Sequence, residues 1–190
     1  MNDNELIRAI KTGNPAAFKA LVEQYKDLVV NTCYGFVHDR EEAEDLAQDV
    51  FVEMYESLHT FREEAKLSTW LYRITVNKCL NQIKKNKRWR WRQSLQILFG
   101  SQEGPVEIVD ENTADPQADL EQQERHNVLN QAIATLAENQ KIAFTLSKYE
   151  DLSYQEIAQV MGTTVAAVES LLNRAKKNLQ KKLYDYYRDG

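Results

Sequence analysis

The side chains with the most specific chemical pattern lie near the carboxyl end of the chain, at helical spacing. They combine hydrogen-bond donors, acceptors and positive charge: Glu169, Ser170, Asn173, Arg174, Lys176 and Lys177. Such groups on one face of a helix suit base edges in a major groove, with phosphates beside them. The chemistry indicated here is recognition of DNA by hydrogen bonds and charge.

The segment around this face has the sequence of a helix-turn-helix. Ser153 and Glu156 form a capping box, in which each side chain satisfies a main-chain group of the other residue. Gly162 stands where the chain must turn sharply, and a residue without Cβ does so at little cost. Thr163 and Thr164 can cap the second helix. Its apolar stripe consists of Val168, Leu171, Leu172, Ala175 and Leu179. A plain helical hairpin within a bundle is the alternative interpretation.

Groups that bind metals or carry out acid–base catalysis are present but are not arranged for it. His38, His59 and His126 lie far apart in sequence, and no metal-ligand pairing such as HExxH occurs. Carboxylates on a predicted helix near 40–59 could hold a metal in an enzyme, but they resemble one solvated or docking face. We therefore predict no catalytic residue, no metal site and no cofactor.

The composition favours an all-helical protein of the cytoplasm. The 190 residues include only six Gly and three Pro, and 43% are hydrophobic. No apolar run approaches membrane-spanning length, and no secretory signal opens the chain. Cys33 and Cys79 lack the spacing of a metal or redox site, so we expect them to be buried thiols in a reducing compartment.

The net charge of −5 is distributed unevenly. Residues 93–124 contain eight Asp or Glu and no Lys or Arg. Residues 1–92 carry 15 basic and 14 acidic side chains, and residues 125–190 carry nine basic and seven acidic ones. Both flanking segments can therefore present basic faces to nucleic acid.

The acidic segment also changes in composition, because it contains Gly and Pro and few periodic apolar positions. We predict a flexible linker at 95–120 between two small helical domains at 1–94 and 121–190. The linker is either a solvated spacer or an imitation of a nucleic-acid backbone that lies in a basic channel of a partner. Domains joined in this way are expected to be loosely tethered.

Hydrophobic periodicity predicts four helices in the first domain, near 3–12, 15–38, 40–59 and 67–88, with a loop at 61–68. The fourth helix runs into a tract at 84–92 that has six basic groups and two Trp. This tract suits phosphates together with stacking on unpaired bases. A solvated helix end, where cations favour the helix dipole, is the alternative.

Three motifs in this order resemble the extracytoplasmic-function (ECF) group of bacterial sigma factors. Glu44–Phe51 resembles the polymerase-binding helix of that family. Phe61-Arg62, followed by Ser68–Ile74 and Asn77, resembles its −10 segment, and Leu152–Leu179 resembles its −35 helix-turn-helix. The resemblance covers nearly the whole chain.

The resemblance implies residues for three interfaces. Core RNA polymerase would be bound by Glu44, Asp45, Gln48 and Asp49. Melted −10 DNA, with a base held in a pocket of the loop, would be bound by Phe61, Arg62, Lys66, Trp70, Arg73, Asn77, Lys84, Lys85 and Arg88. The −35 element would be bound by Thr164, Ala167, Glu169, Ser170, Asn173, Arg174 and Lys177. Glu169 and Leu171 stand where many members carry basic residues, so the preferred −35 sequence cannot be copied from relatives. Glu169 could accept a hydrogen bond from cytosine N4.

The resemblance further implies a transcription initiation factor that performs no chemistry itself. It would bring core polymerase to promoter DNA, and a membrane-linked anti-sigma protein would hide its surfaces. The acidic linker would thread the polymerase channel. From the residues alone, the alternative is a dimeric helix-turn-helix repressor or activator that binds a palindromic site. That alternative has no use for the −10-like loop, the tract with two Trp or the linker.

Overall fold

The computed structural model describes residues 2–61, 65–98 and 118–189. Within these ranges the secondary structure is entirely helical. The helices are α1 Asp3–Lys11, α2 Pro15–Val37, α3 Arg40–Ser57, a 3₁₀ helix Leu58–Thr60, α4 Leu67–Leu98, α5 Ala118–Ala134, α6 Glu138–Lys148, α7 Tyr154–Met161 and α8 Val165–Asp189. The predicted all-helical fold is confirmed. Arg62 and residues 99–117 of the predicted linker lie outside the described residues.

Local capping determines where the first three helices begin. Asn2 and Glu5 form a capping box at α1, and Asn14 accepts from the backbone at the start of α2, where Pro15 is the first helical residue. Asp39 accepts from the Glu42 amide, 2.7 Å away, at α3. Each cap satisfies amide groups that have no partner inside the helix. These starts agree with the predicted helices, whereas α4 continues ten residues beyond the predicted end at 88.

The first module comprises α1 to α4, and α2 packs against the other three helices. Its core contains the fully buried side chains of Ile7, Leu21, Val29, Val50, Met54 and Leu71. Cys33 and Cys79 are also fully buried, as predicted, and neither forms a disulfide. A hydrogen bond with Cys33, together with burial, raises the pKa of the Cys79 thiol, so this thiol is not reactive.

The second module comprises α5 to α8, and α8 packs against each of the other three. α5 and α8 bury a small cluster of Ala132, Ile133, Leu136, Ala175 and Leu179. Most other buried apolar residues of α6, α7 and α8 belong to the cluster that includes the first module. This second set includes Leu146, Ile157 and Val168, which are fully buried.

The two modules share one apolar core. Leu146 and Ile157 belong to the same cluster as Phe36 of α2 and Leu71 of α4. Contacts run between α2 and α6 and between α4 and α7. The expectation of loosely tethered domains is therefore wrong for this structure, because apolar side chains from both modules interlock where the helices meet.

Candidate partner and nucleic-acid interfaces

One face of α3 is exposed and acidic. The helix buries Ala43, Leu46, Ala47, Val50 and Met54 on its inner side. The four residues predicted to bind a large partner, Glu44, Asp45, Gln48 and Asp49, are all exposed on the other side. Helical periodicity separates the two sets, because residues three or four apart share a face. The structure therefore brings these four predicted residues together.

An open groove of about 770 Å³ runs beside this face, between α2 and α3. Glu44 and Gln48 lie on its α3 side, and Tyr34 lies on its α2 side. Glu44 forms an ion pair with Arg40 at 3.1 Å. Among the described residues, the carboxylates of Asp45 and Asp49 have no hydrogen-bond or ion-pair partner, so they remain available to a cationic partner.

Two apolar residues continue the same exposed face, and sequence reasoning missed them. Val52 is 57% exposed and Tyr55 is 54% exposed, although the ring of Tyr55 contacts Phe18 edge-on. Apolar side chains beside charged ones are typical of a surface that is covered by a partner rather than by water. The signal was present in the sequence as apolar residues at Val52 and Tyr55 in the register of the acidic face.

Apart from Arg62, which lies outside the described residues, the predicted −10 residues lie just before α4 and along that helix. Phe61 is only 7% exposed, and its ring packs on Trp70 with centroids 5.1 Å apart. Lys66 is exposed at the start of α4. Arg73, Asn77, Lys84, Lys85 and Arg88 are exposed along the helix. The arrangement gives a row of cations and amides next to an aromatic pair, which suits a phosphate backbone beside an unstacked base.

Two of these cations contact the second module in this structure. The guanidinium of Arg73 donates to the Gln159 oxygen at 2.6 Å and to the Val160 oxygen at 3.2 Å. The Lys84 ammonium lies 2.9 Å from the Glu138 carboxylate. Neither contact was predicted from the sequence, because the partners are distant along the chain.

Between Lys84 and Arg92, every side chain of α4 except Asn86 is exposed. Trp89 is 62% exposed and Trp91 is 67% exposed. An open surface depression there is lined by Lys84, Lys87, Arg88, Arg90 and Trp91. The predicted interleaving of aromatic rings and cations is therefore present on the surface.

The helix-turn-helix has the predicted geometry. The Glu156 amide donates to Ser153 Oγ at 3.3 Å, and the Ser153 amide donates to Glu156 Oε2 at 3.0 Å. These hydrogen bonds with Ser153 lower the pKa of Glu156. Gly162 ends α7 in the left-handed region with φ +63°, where glycine pays no penalty for a Cβ. Thr164 Oγ1 accepts from the Ala167 amide at 3.2 Å, which makes Thr164 the cap of α8.

The first half of α8 gathers most of the predicted −35 residues around one groove of about 390 Å³. The lining is Ala166, Glu169, Ser170, Asn173, Arg174 and Lys177. Thr164 is exposed, but its hydroxyl caps the helix, and Ala167 is partly buried beside the groove. Ala166 was missed because a small residue carries no chemical signal. Among the described residues, no hydrogen bond or ion pair engages Arg174, so its donors are available to DNA.

The described residues include neither a cluster that could hold a metal ion nor a helix that could span a membrane. No group of three or more His, Cys, Asp or Glu side chains is placed there to hold a metal ion. No helix in the same part of the chain is both long enough and apolar enough to cross a bilayer.

Comparisons with known proteins agree with this arrangement of surfaces. The family model for sigma-70 region 2 matches residues 21–89, and that for sigma-70 region 4 matches residues 126–179. The RNA polymerase sigma-H factor of Pseudomonas aeruginosa is 32% identical over 99% of this chain and 97% of the relative. The ECF RNA polymerase sigma factor SigW of Bacillus subtilis is 30% identical over 94% of this chain and 95% of the relative. The chain belongs to the ECF group of the sigma-70 family.

Solved structures show that this sigma factor shares its fold with two proteins. CnrH, in complex with the cytosolic domain of CnrY, has a TM-score of 0.64 and 22% identity, covering 96% of this chain and 97% of that one. RpoE of Bartonella quintana, in complex with the anti-sigma factor NepR, has a TM-score of 0.57 and 22% identity, covering 88% and 96%. The region 2 match includes the acidic face of α3 and all nine predicted −10 residues, and the region 4 match includes the groove on α8.

Proposed function

We propose that this sigma factor brings core RNA polymerase to promoters through three of its own surfaces. They are the acidic face of α3 for polymerase, the aromatic pair and α4 for melted −10 DNA, and the α8 groove for the −35 element. The observation that carries the proposal is the α8 groove, where five predicted DNA-binding residues line one depression after a capped turn. The sigma factor performs no chemistry in this proposal.

The acidic face of α3 would bind polymerase by charge in the middle of the helix and by apolar contact toward its carboxyl end. Asp45 and Asp49 offer carboxylates to cations of the partner, while Val52 and Tyr55 offer apolar area that water now covers. Charge steers the encounter and desolvation of the apolar area adds affinity. Gln48, at the edge of the groove between α2 and α3, can form neutral hydrogen bonds to polymerase.

The −10 surface would hold an opened strand. A base that leaves the stack exposes its face and its edge, so an aromatic ring and nearby amides can bind it. Trp70, supported from below by buried Phe61, provides the ring, and Asn77 provides the amide. Lys66, Lys85 and Arg88 would neutralise phosphates along α4.

The α8 groove would bind the −35 duplex in the major groove. Arg174 and Asn173 carry donors suited to guanine and adenine edges, and Glu169 carries an acceptor suited to cytosine. Lys177, at the far end of the groove, would contact phosphate. Each DNA surface alone would bind weakly. Because both surfaces are on one chain, binding of the first raises the effective concentration of the second at its own DNA element.

A regulatory partner completes the proposal. We infer that an anti-sigma protein, linked to the inner membrane, binds this sigma factor in the cytoplasm and hides its polymerase and DNA surfaces. The support is that the two solved structures named above are complexes, one with an anti-sigma factor and one with the cytosolic domain of CnrY.

The test is transcription by purified core polymerase on a promoter library, with and without this chain. We expect the chain to bind core polymerase and to select start sites that share two spaced elements. Substitutions in the α8 groove should change which upstream element is enriched. If core polymerase neither binds the chain nor gains start-site selectivity, the proposal fails.

A further inference from the structure

Three of the described helices begin with the same local pattern, a capping residue followed three positions later by Glu. At α1 and α7 the carboxylates of Glu5 and Glu156 turn back and accept from the amide of the capping residue, each at 3.0 Å. At α3 the capping residue is Asp39 and the Glu is Glu42. Here the Glu42 carboxylate bonds across to α4 instead of back to its own cap. A group that could complete a capping box therefore serves a tertiary contact.

The contact joins Glu42 to two amide side chains of α4. Glu42 Oε1 accepts from Asn86 Nδ2 at 2.9 Å and from Gln82 Nε2 at 3.1 Å. Gln82 Nε2 also donates to Asn86 Oδ1 at 3.3 Å, so the three side chains form a closed ring of hydrogen bonds. All three are only partly exposed. We refer to these residues as the Glu42 network, and its charged acceptor makes the hydrogen bonds stronger than neutral ones.

The Glu42 network lies at the base of the exposed part of α4. Asn86 is the last side chain of α4 before Arg92 that is not exposed. It stands inside the tract at 84–92, which carries six basic groups and two Trp. Gln82 and Asn86 lie four residues apart on one face of the helix, and Trp89 continues that face three residues later. The network therefore holds the helix directly before its exposed aromatic rings.

The tract at 84–92 has a composition that suits DNA but not an isolated helix. Like charges three or four residues apart destabilise a helix, as Lys84 with Arg88 and Lys87 with Arg90 would. A short helical segment without tertiary packing is also marginal in water. A carboxylate hydrogen-bonded to Asn86 supplies both a tertiary contact and an opposite charge. We therefore expect the helix beyond Asn86 to depend on this contact.

We propose that Glu42 is a positioning residue for single-stranded DNA, and that its hydrogen bonds to α4 keep the tract at 84–92 helical. A tract that is ordered before DNA arrives loses less conformational entropy when its two Trp rings stack on unpaired bases. The inference rests on the proposed binding of melted DNA along α4. Because Glu42 belongs to the helix with the acidic face, α3 would support the DNA surface as well as bind polymerase.

Charge alone makes the opposite prediction, which allows a sharp test. A carboxylate near cations opposes the binding of DNA phosphates, so its removal would tighten binding. If Glu42 positions the tract, Glu42→Ala weakens binding instead. Glu42→Gln separates the two effects, because it removes the charge but keeps an oxygen at the position that accepts both hydrogen bonds. Neither variant removes the cap of α3, since Asp39 accepts from the backbone amide of residue 42.

The experiment measures DNA binding and local order on the full chain. The probe is a fluorescein-labelled, mixed-sequence single strand of about 15 nucleotides, and anisotropy gives its Kd. Hydrogen exchange with mass spectrometry follows the amides of residues 87–92, with the core of α2 as an internal reference. Glu41→Ala is the matched control, because Glu41 is the exposed neighbour of Glu42 and its replacement changes the net charge equally.

Glu42→Ala should raise the Kd about fivefold, because the fraction of molecules with an ordered tract falls. Exchange at residues 87–92 should become faster in this variant, while exchange in the core of α2 should not change. Glu42→Gln should show intermediate exchange and bind DNA more tightly than Glu42→Ala, and Glu41→Ala should not weaken binding. Unchanged exchange, or equal or tighter binding in Glu42→Ala, overturns the inference. Binding by Glu42→Gln that is no tighter than by Glu42→Ala also overturns it.

Asn86→Ala, alone and combined with Glu42→Ala, tests the route through α4. The double variant should bind DNA about as weakly as Glu42→Ala, because both substitutions break the same network. Additive losses would mean that Asn86 contacts DNA itself and would overturn the route. If the wild type does not bind the single strand at all, the proposed DNA binding along α4 fails and the inference fails with it. If the wild type binds and Glu42→Ala binds equally well, only the inference fails.

Discussion

The ring of Phe61 packs on Trp70 with centroids 5.1 Å apart and planes inclined at 51°. Phe61 is buried, whereas Trp70 is partly exposed. Phe61 is therefore held by the core and supports the ring of Trp70. We expect the exposed part of Trp70 to contact the melted −10 DNA strand.

Replacing Phe61 tests this support. Phe61→Ala should lower the free energy of unfolding by about 3–5 kcal/mol, because it empties a buried ring site. Phe61→Leu should cost less stability but still weaken promoter opening, because the flat contact under Trp70 is lost. Urea denaturation measures the first effect, and permanganate footprinting of melted thymines measures the second. Normal promoter opening in Phe61→Leu would show that the ring contact is not needed.

The acidic face of α3 can be tested by charge reversal. Asp49→Lys with Gln48→Ala should abolish binding to core polymerase while leaving the fold intact, because both side chains are exposed. Glu124→Lys, an exposed carboxylate on α5, is the control for the change in net charge. A pull-down with purified core enzyme measures binding. Full retention of the double variant would remove the docking assignment.

Arg174 tests the −35 groove. Arg174→Ala should weaken binding of a matched −35 site by about 1–3 kcal/mol if the guanidinium contacts a base, and scrambled sites much less. An equal loss on both sites would instead indicate a phosphate contact. Competition binding to matched and scrambled duplexes distinguishes these outcomes. An unchanged affinity for both would exclude Arg174 from the interface.

The two tryptophans at the end of α4 test the stacking surface. Trp89→Ala and Trp91→Ala should each weaken binding of single-stranded DNA by about 1–3 kcal/mol. Stability should change by no more than about 0.5 kcal/mol, because both rings are mostly exposed. Tyr184→Ala, an aromatic residue of similar exposure on α8, is the control. Unchanged binding would favour a solvated helix end.

Glu150 predicts a dependence of stability on pH. Burial raises the pKa of Glu150 from 4.5 to about 7, although the hydrogen bond from Tyr72 lowers it. The folded chain therefore keeps a proton that the unfolded chain has already lost, so stability falls as pH rises through about 7. The free energy of unfolding of the wild type, relative to that of Glu150→Gln, should fall by on the order of 1 kcal/mol between pH 6 and about 8.

His38 influences the same measurement with the opposite sign. Burial lowers the pKa of His38 to about 4, so stability gained from its neutral form is lost as pH falls. Because His38 is present in both proteins, the difference between wild type and Glu150→Gln isolates the carboxyl group. Urea denaturation at a series of pH values measures this difference in the free energy of unfolding. A difference that does not change with pH would contradict the burial of Glu150.

Local sequence was sufficient for much of the proposed −35 surface. The cap at Ser153, the turn at Gly162 and the groove residues of α8 depend on neighbours within a few positions, so spacing alone specified them. The roles of the acidic face and of the −10 loop came from the family resemblance, because periodicity describes a charged face without saying what covers it.

The sequence by itself determined most of the helices and the caps of the helix-turn-helix, because these follow from short-range hydrogen bonding and helical periodicity. The family and the order of the three proposed surfaces came from the resemblance of three motifs. Only the tertiary structure decided that Lys141 of α6 is buried at the end of α2, that Gly35 of α2 admits α6 and that Arg73 caps α7. The partners of Lys141 and Arg73 lie 105 and 86–87 residues away. A charged side chain ordinarily indicates solvent exposure, and its burial against a distant helix end arises only when the two modules meet.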